Sequence, residues 1–571
     1  MITEVRLDYF KRFESQEFTL ADTIVLAGPN NSGKSTLLQA ITVWGLAVQR
    51  WQTERLSATS KATKRTGIAI SRKDFSAVPL REMNLLWFNR DTAYSKLEKP
   101  NEKAGAGKLI SISLTGVDSH DAQWTLTVKL RYHSKELIYA KVVDATGTPV
   151  TRIPPGVEEF RVVHVPPFSG IGTDETRYDP GYQNLLIGQG KPGDILRNLL
   201  LEVEQKGKDN WEALQADMRE IFGYELTDPQ YSPGASPYIL VEYHDIKSPK
   251  QGVLDIASAG SGFHQVLTLL SFFYARPASI LLLDEPDAHQ HVKLQRQVYD
   301  KLRSVARRRR CQLLISTHSE VILEDTEASN IISFYGHPHQ LLVDTEKDRV
   351  REALKLLSSM EIISALSGTN VLYVEDESDF KILREFARIL EHRSVRFFDE
   401  PFFHAIRGRH AKNARDHFFA LQAIRPQIKG VLLLDADDRD LPDHEVSADG
   451  LEILRWERYE IESYLIHPDA LLRFLEGPSP DLFRAPKRAA GKAFLESELP
   501  PAVLRDPLGH HEYLLSVPAS KSLLPSFFDK ADTALGKKDY YQIAAQMTAD
   551  ELPSEVRFKL DRIADALDIS A

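Results

Sequence analysis

Residues 24–36 read IVLAGPNNSGKST, an apolar run that breaks at Gly28 into a loop and then a helix-forming stretch. From Gly28 the segment fits G-x-x-x-x-G-K-[ST], with Gly33, Lys34 and Ser35 at the required places. Glycine tolerates the backbone angles that let a loop wrap phosphates, and successive N–H groups then point inward at a helix N-terminus. Gly28, Asn30, Asn31, Ser32, Gly33, Lys34, Ser35 and Thr36 are the candidate phosphate-binding residues. Lys34 suits the β and γ phosphates, and the Ser35 hydroxyl suits Mg²⁺. The bland alternative, a glycine-rich turn with an incidental lysine, is disfavoured by the strand-loop-helix context.

Further along, ILLLDEPDAHQH (280–291) places Asp284 and Glu285 at the end of another apolar strand. Asp284 can complete the magnesium shell, and Glu285 can polarise an attacking water. LLISTHS (313–319) puts His318 after a third buried strand, within reach of a γ phosphate. His289 and His291 form no convincing metal motif; they simply follow the acidic pair. In ASAGSGFHQVLTLL (257–270) a Ser/Gly-rich turn runs into an apolar helix ahead of that pair. This order of phosphate loop, signature, acidic pair and histidine resembles ABC-type ATPases. The resemblance implies ATP as ligand and a homodimer, or higher oligomer, closing through the ATPase domains. By it, Ser261 and Gly262 align with the signature residues, and Ser258 and Gly260 are the alternative register. A plain helix cap is the competing reading. No long heptad array follows the phosphate loop, so an SMC-type arm is not expected.

With 571 residues the chain predicts two to four domains. Its 42% apolar and 27% charged content is ordinary for a globular protein. No apolar run is long enough to span a bilayer, and MITEVRLDYFKRFESQ lacks the parts of a secretory signal. Cys311 is the single cysteine, which excludes an internal disulfide. A cytoplasmic chain without a membrane partner is the expectation. The net charge of -10 argues against indiscriminate coating of nucleic acid, though a local basic track such as Arg307–Arg310 is compatible with it. A helix C-terminus is the alternative for that run.

The rhythm of strands and helices predicts an α/β chain: an ATPase domain over 1–345, with a β-rich and loop insertion at about 101–250, then a linker at 346–369. A second domain is expected over 370–571, a parallel sheet flanked by helices and ending in helical elements. There, VLYVEDESD (371–379) offers Glu375 at a strand end and Asp379 at the next helix start. VLLLDADDRD (431–440) ends a second apolar run in Asp435, Asp437, Asp438 and Asp440. Asp is a common turn former, but so many carboxylates repel one another unless a divalent cation offsets them.

A Glu from one strand and a D-x-D from a later one resemble the TOPRIM domain of topoisomerases, primases and related nucleases, with Gly408 of IRGRH at the glycine turn. ATPase followed by TOPRIM over nearly the whole chain resembles the OLD (overcoming lysogenisation defect) family of ATP-dependent nucleases. ERYEIESYLIHP (457–468) is similar to that family's E-I-E-x-Y segment, which implies Glu462 as a metal ligand and leaves Glu460 open. LGKKDYYQI (535–543) carries a Gly-Lys pair like the late catalytic lysine, with Lys538 preferred and Lys537 the close rival. The resemblance implies Mg²⁺ or Mn²⁺ held by Glu375, Asp379, Asp435, Asp437 and Glu462, and hydrolysis of nucleic-acid phosphodiesters by a pair of cations. DNA is the favoured substrate, with a role in antiphage defence or repair. RNA such as tRNA is a second substrate class. A non-cleaving ATP-driven sensor, with or without an accessory protein, is the third reading.

Overall fold

The computed structural model describes residues 1–56, 67–73, 75, 78–94, 107–247, 252–288, 290–406, 411–436, 448–477 and 484–569. Asp437, Asp438, Asp440, Gly408 and His289 lie outside the described residues. The chain forms two compact units, Met1–Leu354 and Lys355–Ala571. The division falls within 346–369, but that stretch is helical (Asp344–Leu356 and Ser359–Leu366) rather than an open linker. The second helix starts at a local cap: the Ser358 hydroxyl accepts from the Glu361 N–H at 3.3 Å, and Glu361 accepts from the Ser358 N–H at 2.8 Å.

In the first unit the apolar runs expected as buried strands lie side by side. The sheet order is His339–Gln340, Ile331–Ser333, Thr23–Ala27, Gln312–Thr317, Ile280–Asp284, Val162–Val165. All neighbours are parallel except the first pair. Buried strands of this kind lack alternation because both faces are covered. A second, antiparallel sheet joins Phe13–Thr19, Ile2–Phe10, Leu109–Val117, Gln123–Ser134, Leu137–Val143 and Ile68–Ser71. The helix after the phosphate loop, Lys34–Leu56, contributes Leu37, Ile41, Trp44 and Val48 to a core shared with both sheets. Each such buried side chain stabilises by about 1.5–3 kcal/mol.

The expected β-rich insertion is only partly β. After Val143 it turns helical (Pro180–Gly188, Leu196–Gln205, Lys208–Phe222), because LRNLLLEVEQ and KDNWEALQADMREIF carry apolar residues at helical spacing. Its strand Val162–Val165 also forms an edge of the central parallel sheet. The basic run ends the helix Val292–Arg308, where Arg308 pairs with Asp217 at 3.7 Å and Arg309 stacks over Tyr274 at 4.6 Å. Two of its cations therefore have partners inside the unit.

The second unit is built on four parallel strands in the order Phe403–Ala405, Val371–Val374, Gly430–Leu434, Leu451–Arg455. The helix Glu377–Ile389 packs against Val371–Val374, and Phe418 of Ala411–Ile424 meets Tyr373 edge-on at 6.4 Å. Helical segments from Pro468 to Ala566 complete the core. No described helix is long and apolar enough to cross a membrane.

Gln312 fastens the two six-stranded sheets of the first unit to each other. Its buried amide accepts from the Ile2 N–H at 2.8 Å and donates to Ile2 O at 2.7 Å and Ala21 O at 2.8 Å. Gln312→Leu keeps the volume but strands three main-chain groups. We expect it to lower the stability of the first unit by about 2–4 kcal/mol in chemical denaturation, whereas an exposed-site control leaves it unchanged.

Candidate functional site

Two clusters of functional side chains lie at the carboxyl ends of the two parallel sheets, one in each unit. In the first, the register aligns Asp284 with Ser316 and Thr317 with Ala27, which brings the acidic pair, the His318 loop and the phosphate loop to one edge. Gly28 and Gly33 have φ of 158° and 115°, and a Cβ on Gly33 would stand 2.7 Å from the Phe13 ring. Only glycine fits that turn. Lys34 Nζ donates to Gly28 O and Pro29 O at 2.8 Å and lies 3.1 Å from His318 Nε2. Burial pushes the Lys34 ammonium down to about 8, against the charges of Glu285, Asp284 and Asp287.

Ser35 Oγ donates to Asp284 Oδ1 at 3.1 Å, and Ser316 Oγ donates to the same oxygen. Glu285 turns out of the strand at φ 52°, which aims its carboxylate at His318, 3.4 Å away. That contact holds the Glu285 carboxyl below its usual range, with burial opposing. Ser32 Oγ is buried without a hydrogen-bond partner inside the loop, an orphan that fits a phosphate-oxygen ligand. Asn30 and Asn31 are exposed at the loop tip, and Thr36 is half-buried in the following helix. Ser261 is the exposed first residue of the helix Ser261–Ala275, followed by Gly262. Ser258 instead donates to Asp255 O at 2.7 Å, which leaves Ser261 as the hydroxyl free to face outward. His291 caps the helix Val292–Arg308, so its role is local.

In the second unit the strands end at matched heights: Tyr373 is level with Leu432, and Leu434 with Arg455. Glu375 and Asp435 follow those ends, and the Asp435 N–H donates to Glu375 Oε1 at 3.3 Å. Asp435 Oδ1 accepts from the Ile461 N–H at 3.2 Å, which draws in the turn Ile461–Leu465 with Glu462. Glu462 is fully buried. Its Oε1 lies 3.3 Å from Lys537 Nζ, an ion pair that is not aligned as a hydrogen bond, and neither carboxylate oxygen has a hydrogen-bond partner.

Asp379, also buried, accepts from the Asp376 N–H at 2.9 Å and from Ser378 Oγ at 3.3 Å, the hydrogen bonds of a helix start. Burial and its acidic neighbours push Asp435 up to about 9 and Asp379 up to about 8. Burial pushes Glu462 up to about 7 against the pull of Lys537. This set suits hard, oxygen-preferring cations such as Mg²⁺ or Mn²⁺: the carboxyls are crowded, Asp379 and Glu462 are buried, Glu375 and Asp435 are half-buried, and Glu462 has no hydrogen bond.

The lysine differs from the preferred reading. Lys538 is exposed and points away, whereas Lys537 reaches Glu462 at 3.3 Å and Asp376 at 3.4 Å. Both sit in the short 3₁₀ turn Lys537–Asp539, where adjacent side chains diverge, so one lysine is turned to the carboxylates and the other to solvent. Burial works against the Lys537 charge, but Glu462, Asp379 and Asp376 hold its pKa above the ordinary value. Glu460 is buried rather than solvated, accepting from Ser520 N–H and, at 2.9 Å, from Ser520 Oγ. Asp376 is a further member that the sequence reading did not single out; the D-x-x-D spacing with Asp379, a capping pattern, was its available signal.

A family model described as "AAA domain, putative AbiEii toxin, Type IV TA system" matches residues 174–324. No curated protein matches the chain. Similar solved structures include an SMC head bound to the C-winged helix domain of ScpA. It is 15% identical, covers 58% of this chain and 93% of that one, and has a TM-score of 0.33. The SMC head domain from Thermotoga maritima is 13% identical, covering 60% and 99%, with a TM-score of 0.34. An SMC head with an extended coiled coil bound to the C-terminal domain of ScpA, from Pyrococcus furiosus, is 12% identical, covering 58% and 92%, with a TM-score of 0.30. The phosphate loop, acidic pair and parallel sheet, with the AAA match inside the same unit, make the first unit a P-loop ATPase domain.

The raised carboxyls set a pH dependence. Folded, they keep protons that the unfolded chain releases near the ordinary carboxylate range, so stability is highest below that range. It falls as pH rises through about 7 to 9, where the folded groups ionise, and then levels off. In cation-free protein we expect a lower unfolding midpoint of the second unit at about pH 9 than at about pH 6. Asp435→Asn flattens that difference, and added Mg²⁺ narrows it, both measurable by thermal melts.

Proposed function

We propose that the chain is an ATP-governed, divalent-cation-dependent nuclease of the kind its resemblance to OLD-family proteins implies, hydrolysing nucleic-acid phosphodiesters, with DNA as the first expected substrate. The observation that carries the reading is the convergence of Glu375, Asp435, Glu462 and Asp379 on one sheet edge beside Lys537. A protein that merely bound nucleic acid would gain nothing from burying several carboxyls together, and would lose affinity by facing acidic groups toward phosphates.

Glu375, Asp435 and Glu462 are the residues best placed to hold Mg²⁺ or Mn²⁺, with Asp379 shared between that task and the helix start; Asp437 is a further candidate from the sequence. Cations held there supply activated water and charge neutralisation at the scissile phosphate. Lys537 is a fixed positive charge at the same edge, suited to negative charge that grows on the phosphate. Burial of Asp379 and Glu462 excludes water from one side of the cluster.

In the ATPase unit, Lys34, Ser35, Asp284, Glu285 and His318 are the proposed nucleotide and hydrolysis residues. Ser261, at an exposed helix start, is the group proposed to meet ATP bound by a second copy. A role in defence accords with the toxin–antitoxin wording of the matched family model.

The test is cleavage of supercoiled plasmid, with total RNA in parallel, in Mg²⁺ or Mn²⁺. Asp435→Asn, Glu462→Gln and Lys537→Ala are each expected to slow cutting by about 100-fold or more, while Lys538→Ala stays within about threefold of wild type. Equal cutting by wild type and Asp435→Asn removes the proposed site. Glu285→Gln tests the link to ATP: cutting that responds to ATP identically in wild type and variant removes the regulatory half.

A further inference from the structure

Away from the acidic cluster, the second unit gathers a different set of donors. Glu361 stands on the helix Ser359–Leu366, His404 on the edge strand Phe403–Ala405, and His417 on the helix Ala411–Ile424. Their ligand atoms all lie within 4.8 Å of one another. Glu361 Oε1 is 2.7 Å from His404 Nδ1 and 3.1 Å from His417 Nε2. The two imidazoles stack with centroids 3.9 Å apart, so both present a nitrogen to the same side of one carboxylate oxygen.

We propose that Glu361, His404 and His417 form a site for a first-row transition-metal dication of the zinc class. Donors at about 2.0–2.2 Å from one such ion in tetrahedral geometry stand roughly 3.3–3.6 Å apart, so the Glu361 contacts of 2.7 and 3.1 Å would open by well under 1 Å to admit it. The donor set is two nitrogens and one oxygen, which suits zinc and its neighbours and not Mg²⁺, whose preference is for oxygen alone.

Groups behind the donors hold two of them in place. Glu361 Oε2 is occupied by the Ser358 N–H at 2.8 Å and the Ser358 hydroxyl at 2.7 Å, which turns Oε1 toward the imidazoles. His417 Nδ1 lies 2.9 Å from the buried Tyr373 hydroxyl, which leaves Nε2 as the ligand nitrogen. An outer partner on the second ring nitrogen is the usual companion of a metal-binding histidine. Access is also provided: His417 is 4% exposed, but Glu361 and His404 keep 18% and 30%, so an ion can enter and a water can complete its coordination.

Glu361 lies more than forty positions before either histidine, and an ion there ties the first helix of the unit to its edge strand and to the helix on one sheet face. The alternative arrangement is a carboxylate accepting two imidazole N–H groups with no ion, and the two predict different uptake.

Tag-free full-length protein in the Asp435→Asn background is stripped with a chelator and returned to excess Mg²⁺, which fills oxygen-only sites. Co²⁺ is then titrated as an optical probe, and retained Zn²⁺ is measured by elemental analysis. We expect one ion per chain, a visible Co²⁺ spectrum of nitrogen ligation and a higher melting temperature with Zn²⁺. His404→Ala and His417→Ala abolish all three effects, and Tyr373→Phe weakens binding by about 10–100-fold. If His417→Ala does not fold, His404→Ala decides alone, because His404 lies at the half-exposed rim. Zn²⁺ uptake no greater than that of His404→Ala, or a Co²⁺ spectrum unchanged in that variant, overturns the proposal. None of these readouts depends on nucleic-acid cleavage.

Discussion

At the carboxyl edge of the second unit, Asp379 and Glu462 are buried, Asp435 is half-buried beside them, and Lys537 pairs with Glu462. Bringing carboxyls this close in a dry setting costs free energy unless protons, a lysine or metal ions compensate. Parallel pairing enforces the crowding, because strands in register end at the same height and deliver whatever follows them to one place. The hydrogen bond from the Asp435 N–H to Glu375, and that from the Ile461 N–H to Asp435, lock the arrangement through main-chain groups. The position of the carboxyls is therefore a consequence of the backbone, and their charge is left for a ligand to settle.

The first unit solves a related problem differently. Around Asp284 the carboxylate accepts hydroxyl hydrogen bonds from Ser35 and Ser316, and Glu285 faces His318. Lys34 turns back on the loop carbonyls of Gly28 and Pro29. These contacts preorganise the loop for a polyphosphate whose oxygens can take over the same donors.

Much of this was legible because it follows from short-range rules. Continuous apolar runs read as buried parallel strands, and acidic or glycine-rich residues immediately after them read as edge groups. GPNNSGKST and ILLLDEP needed nothing more than that. What was not legible depended on direction within a turn. Lys537 and Lys538 are adjacent and chemically alike, and only the 3₁₀ geometry of Lys537–Asp539 decides which one meets Glu462. The helices between Pro180 and Phe222 were hidden within a region whose flanking strands set its apparent character. The Glu361, His404 and His417 cluster has no contiguous motif at all, since its members come from three elements joined only in the folded sheet.

The amide of Gln312 sits at the start of the strand that ends beside His318. Two of its hydrogen bonds tie that end of the strand to Ile2 of the antiparallel sheet and a third to the Ala21 carbonyl, so sliding between the layers there would break them. The opposite end of the same strand leads directly to His318, beside Glu285, so the tether and this pair stand at the two ends of one strand.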